Sequence, residues 1–156
     1  MATAGALPER LQEIVNDFEL AEGSEKLELL LEYARQLPPL PDWLQGKRDA
    51  MDQVHECMTP VFVFAENKAG KLEFHFDVPP ESPTVRGYAA LLEEGVRGTT
   101  PEEILRIPGD FYQEMGLQDV LSPRRLQGVH TILAYIKRLA AKELDNGVAQ
   151  AQVNLG

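Results

Sequence analysis

The chain's only cysteine, Cys57, stands in Val54-His55-Glu56-Cys57-Met58-Thr59-Pro60, at the mouth of the apolar run Val61-Phe62-Val63-Phe64. A thiol is the most nucleophilic side chain at neutral pH, and it reacts as its thiolate. With no second cysteine to pair with, any sulfur chemistry involves this one thiol and another molecule. His55 lies two residues away, so on an extended segment the two side chains share a face. A histidine there lowers the thiol pKa, whereas Glu56 raises it; His55 is either a base for this thiol or incidental. A lone cysteine is also among the most buried residue types and commonly serves as a small hydrophobe. Two neighbours argue for an exposed thiol instead: charged Glu56, and Pro60, whose missing N–H and fixed φ suit a loop better than a central strand.

Other chemistries find no support in the residues. There is no GxxxxGK[ST], no GxGxxG after a strand, no HExxH and no GxSxG elbow. His55, His75, His130 and Cys57 have no zinc-finger spacing, and no cofactor or metal site is expected. A net charge of −10 argues against a nucleic-acid partner. The acidic excess sits before Cys57, as a solvated face or as a surface for a basic partner. No apolar run approaches the ~20 residues of a membrane helix, and Met1–Leu7 has no basic residue. One cysteine and no export signal point to a reducing cytoplasm as the expected compartment.

The elements that must position Cys57 follow from periodicity. At 156 residues the chain is long enough for one domain, expected over 8–144 between flexible termini at 1–7 and 145–156. A first helix starts near Pro8, with Leu11, Ile14, Val15 and Phe18 on one face. Gly23 ends it, and Ser24 can cap a second helix carrying Leu27, Leu30, Leu31 and Ala34 inward. Leu37-Pro38-Pro39-Leu40-Pro41 is a stiff connector. From Asp42 to Gln53 the pattern is polar and irregular, with Trp43 its only large apolar anchor, and reads as a long loop leading to Cys57. The run Val61–Phe64 and the strictly alternating Leu72–Val78 flank a turn ending at Gly70, and predict an antiparallel hairpin with His75 on its polar face.

The remainder is helical. Ser82-Pro83, Thr100-Pro101 and Ser122-Pro123 each place a cap before a proline at the first helical position. Val85, Tyr88, Ala89 and Leu92 form one buried face. A short helix follows Thr100, Asp110 can cap Phe111–Met115, and a last helix runs from Pro123 to about Leu144 with Leu126, Val129, Leu133, Ile136 and Ala140 inward. Arg124 and Arg125 occupy its first turn, where the helix dipole disfavours cations. They bridge to a carboxylate, face solvent, or reach an anion or partner. Gly128 inside this helix suggests close packing of a neighbour.

Three segments in order, Val54-x-x-Cys57-x-Thr59-x-Val61, Glu81-Ser82-Pro83-x-Val85-x-Gly87 and Leu121-Ser122-Pro123-x-Arg125-x-x-Gly128, resemble the SufE family over about residues 8 to 141. The resemblance implies an α+β fold, a small antiparallel sheet with helices packed on it, similar to the NifU-like iron–sulfur scaffold proteins. It implies a sulfur acceptor for a SufS-like, pyridoxal-phosphate-containing cysteine desulfurase, with an iron–sulfur scaffold complex as a candidate recipient. Cys57 falls on the family's acceptor cysteine and Arg125 on its arginine near the start of the last helix, with Glu81, His55 and Glu56 as supporting residues. One departure bears on thiol acidity: many members have glycine before the cysteine where this chain has Glu56. Apart from the resemblance, a thiol redox sensor and a non-catalytic binding adaptor remain open.

Overall fold

The computed structural model describes residues 7–54 and 60–155, with side chains as far as Asn146. Helix α1 (Glu9–Leu20) buries Leu11, Ile14, Val15 and Phe18, the face its spacing predicts. Helix α2 (Ser24–Gln36) follows Gly23, whose φ of +54° suits a residue without a side chain. Ser24 is not its cap: it is already helical, and no side chain caps this end. The buried residues of α2 are Leu30, Tyr33 and Ala34, while Leu27 and Leu31 are only half-buried. The inward step falls on Tyr33 because its ring stacks on Phe18, 6.1 Å between centroids.

Three antiparallel strands follow in the order β1 (Asp52–Gln53), β2 (Phe62–Lys68) and β3 (Lys71–Asp77). The expected hairpin is present and tighter than predicted, with strands running into a two-residue turn at Ala69-Gly70. Both turn residues have positive φ, +56° and +91°, the backbone twist that closes antiparallel strands. Alternation along the strands sends Val61, Val63, Leu72, Phe74 and Phe76 to the inner face, against the helices. The sheet thus has one apolar face and one mixed face, as in α+β architecture generally.

Helix α3 (Pro83–Val96) lies at the centre, packed against α1, α2, β3 and α5 (Pro123–Leu155). A helix touched on so many sides must be buried nearly all round, and Val85, Tyr88, Ala89 and Leu92 are joined inside by Ala90, Leu91 and Val96. Its glycines set the approach of its neighbours. A Cβ at Gly87 would stand 2.2 Å from the Leu30 carbonyl oxygen of α2, and one at Gly95 2.7 Å from Leu11 Cδ1 of α1. The Tyr88 hydroxyl is wholly buried with no hydrogen-bond partner among the described residues. Desolvation accordingly pushes its phenol pKa well above the ordinary value. Tyr88→Phe is therefore expected to stabilise the fold by about 1 kcal/mol, since it removes a buried polar group that gains nothing in return. Urea denaturation of the two proteins checks this, and a clear loss of stability would reveal a partner for the hydroxyl.

Thr100 caps α4 (Pro101–Leu105) as its spacing to Glu103 predicts: the Glu103 N–H donates to Thr100 Oγ1 at 3.3 Å. The expected helix at Phe111–Met115 is only a 3-10 turn over Phe111–Gln113, and Asp110 makes no side-chain cap. Gly116, at φ +76°, redirects the chain into a second such turn at Leu117–Asp119. Ser122 Oγ accepts the Arg125 N–H at 3.3 Å and so caps α5. Val129, Leu133, Ile136 and Ala140 are buried as predicted, together with Gly128, and Leu126 is half-buried. The helix does not stop near Leu144 but continues to Leu155. The alanines and glutamines beyond Asp145 are compatible with helix and carry it on. Among the described residues no helix is long and apolar enough to cross a membrane.

Candidate functional site

Cys57, His55 and Glu56, with Met58 and Thr59, lie outside the described residues. The stem on either side of them is well defined. Asp52 pairs with Val63 and Gln53 with Phe62, and the Val54 N–H donates to the Val61 carbonyl at 2.9 Å. Val54 and Val61 are 1% and 0% exposed, so the β1–β2 connection leaves and rejoins the apolar core.

The segment before the stem, read from sequence as a polar loop, is instead a strap folded over the outer face of the sheet. It contains two 3-10 turns, Asp42–Leu44 and Arg48–Ala50. The Trp43 indole meets Phe64 edge-on at 5.5 Å and His75 edge-on at 5.6 Å. Arg48 Nε donates to Asp77 Oδ2 at 2.8 Å, and its guanidinium sits 4.8 Å from the centroid of the Phe62 ring. Leu44 and Met51 of the strap are buried, 1% and 8% exposed. β1 is only two residues long, so these contacts on β2 and β3 help fix the stem that carries the Cys57 connection.

The strap also corrects the reading of His75. Alternation does put it on the outer face, but Trp43 covers it, its side chain is only 14% exposed, and its Nε2 lies 2.8 Å from Glu66 Oε1. Sequence reasoning passed over Arg48 altogether. The signal was compositional: a lone tryptophan and an arginine in an otherwise polar stretch, five residues apart, ahead of two half-exposed phenylalanines.

Glu81 is exposed in the turn before α3, and Arg125 is exposed in the first turn of α5. Among the described residues no hydrogen bond or ion pair joins the two side chains, and the Arg125 guanidinium has no carboxylate bridge.

With a three-stranded sheet, helices on one face and the cysteine in the β1–β2 connection, the chain belongs to the SufE family: the SufE model, described as an Fe-S metabolism associated domain, matches residues 12–140. It is 42% identical over 139 residues to an uncharacterized SufE-like protein of Mycobacterium tuberculosis strain H37Rv, covering 88% of this chain and 96% of the relative. It is 32% identical over 114 residues to the sulfur acceptor protein CsdE of Escherichia coli K12, covering 72% of this chain and 75% of that protein. Its fold matches the solution structure of a hypothetical protein from Thermus thermophilus with a TM-score of 0.78 and 36% identity, over 89% of this chain and 98% of the other. The α+β fold that the resemblance implies is the one observed.

Proposed function

We propose that Cys57 accepts sulfur from the persulfide of a cysteine desulfurase and hands it on for iron–sulfur cluster assembly. The observation that carries this reading is positional. In a chain that matches SufE along most of its length, the sole thiol falls in the connection between β1 and β2. A relative named as a sulfur acceptor supports the same chemistry.

The step balances without an external oxidant or reductant. The Cys57 thiolate attacks the terminal sulfur of the desulfurase persulfide, a new S–S bond forms on Cys57, and the desulfurase cysteine leaves as thiolate. The desulfurase, whose own pyridoxal phosphate releases sulfur from cysteine, is then free for another turnover. A single thiol suits this role, because a resolving thiol nearby would discharge the persulfide as sulfide. His55 and Glu56 tune the acidity of the thiol in opposite directions. Glu81, Arg125 and the acidic N-terminal third shape the face that meets the desulfurase. The exchange belongs in a reducing compartment, in keeping with a cytoplasmic protein.

The test incubates the protein with a SufS-type desulfurase and cysteine, weighs it intact, and maps the added mass by proteolysis. One added sulfur on the Cys57 peptide, removed by a thiol reductant, together with faster alanine production, is the expected result. Sulfur found on no peptide of this chain, or a sulfenic acid at Cys57 formed by peroxide without any response to the desulfurase, overturns the proposal.

A further inference from the structure

On the outer face of the sheet, Gln53 of β1, Phe62 of β2 and Asp77 of β3 form one cross-strand row, Gln53 paired with Phe62 and Phe62 with Asp77. It is the last row on that face before the connection that carries Cys57. One residue further along, the Val54 N–H bonds the Val61 carbonyl and closes the stem. Arg48 lies across this row. Its guanidinium sits 4.8 Å from the Phe62 ring centroid, and its Nε donates to Asp77 Oδ2 at 2.8 Å. One side chain thus holds two strands of the row, and it belongs to the turn that leads, through the buried Met51, into the third. Trp43, the other strap contact, rests one row farther from the connection, on the pair Phe64 and His75.

Strand β1 needs such a hold. It has two residues, and within the sheet it pairs with β2 alone. A strand with so few hydrogen bonds belongs to the part of a fold that opens most readily. For the molecule as a whole Arg48 matters little, because its side chain is 60% exposed and an ion pair in that setting is weak. Its effect is local: it ties the Arg48–Ala50 turn, which runs directly into β1, to the two longer strands. A planar guanidinium can cover a ring and donate within its own plane at the same time, which an ammonium cannot.

We propose that Arg48 is a positioning residue for sulfur transfer: by holding β1 on β2 and β3, it fixes the base from which the Cys57 connection is presented. The inference rests on the sulfur-acceptor reading. A thiolate must meet the persulfide sulfur in line, so added freedom in the stem lowers the share of encounters that react. It leaves the association of the two proteins as it was. Arg48 therefore acts on the maximal rate of transfer, through the stem, and not on docking.

The experiment mixes the full chain with an excess of persulfide-loaded SufS-type desulfurase and follows the sulfur gained at Cys57 by intact mass against time. In Arg48→Met the maximal rate is expected to fall about fivefold, with the half-saturating desulfurase concentration unchanged. Arg48→Lys should recover part of the loss. Asp77→Ala should slow transfer in the same way, and the double variant should be no slower than Arg48→Met alone, since both changes break one contact. The Val54 amide should exchange its hydrogen about fivefold faster in Arg48→Met, while the amides that pair β2 with β3 keep the wild-type rate. Transfer at the wild-type rate in Arg48→Met, or a change confined to the half-saturating concentration, overturns the proposal and leaves Cys57 as the acceptor. So do losses that multiply in the double variant, or faster exchange throughout β2 and β3. Wild-type protein that gains no sulfur overturns the acceptor reading itself, and this proposal with it.

Discussion

Cys57→Ser is expected to bring alanine production back to the rate of the desulfurase alone and to leave the protein mass without an added sulfur. The hydroxyl occupies nearly the same volume, so the change removes a nucleophile and little else. A thiol with an ordinary pKa near 8.5 is a few per cent thiolate at neutral pH, whereas a serine hydroxyl is essentially never ionised there. No other residue can substitute, because the sequence has one cysteine. The stem is anchored by Val54, Val61 and the β1–β2 pairs, none of which the substitution touches. Thermal unfolding of the variant should therefore match the wild type. If the serine protein stimulates the desulfurase equally, the protein works as an allosteric or adaptor partner and the sulfur-acceptor reading fails.

Gly87→Ala is expected to have the largest effect on stability. The new methyl group would stand 2.2 Å from the Leu30 carbonyl oxygen and 3.0 Å from its carbon, so a backbone, not a flexible side chain, has to move. Leu30 is itself 0% exposed and α2 packs closely on α3, which leaves the helix no solvent-side escape. Overpacking of this kind costs about 1–3 kcal/mol, and a backbone clash belongs at the upper end. The intrinsic helix preference for alanine over glycine returns about 1 kcal/mol. The net loss is about 2 kcal/mol, a drop of about 4–8 °C in the thermal midpoint for a chain of this length. Gly87→Val, with still more volume and no gain in propensity over alanine, should fall further. Differential scanning calorimetry of the three proteins checks the order; an alanine variant as stable as wild type would mean that α2 can slide away from α3 freely.

Gly87 also shows what was legible in the sequence. It stood out as part of the Glu81–Gly87 segment, but only the fold reveals that its role is the closeness of α2. Faces that depend on one helix at a time were readable, as with Leu11, Ile14, Val15 and Phe18, or Val129, Leu133, Ile136 and Ala140. So were the caps at Thr100 and Ser122, because a cap is a local arrangement of four residues. Ser24 failed because one residue of helical offset moves a cap inside the helix. The strap was hidden for a different reason. Its contacts, Trp43 to His75 and Arg48 to Asp77, cross about thirty residues of sequence, and no local period announces them.

Trp43 is the chain's only tryptophan, and it is 47% exposed while resting on Phe64 and His75. Every photon of indole emission from this protein therefore originates at one address, on the segment that leads into the thiol-bearing connection. Red-edge excitation light gives the molecule a built-in optical probe of that segment. An encounter that lifts or buries the strap can be timed by stopped flow on the unmodified chain, with no dye attached and no cysteine sacrificed to carry one.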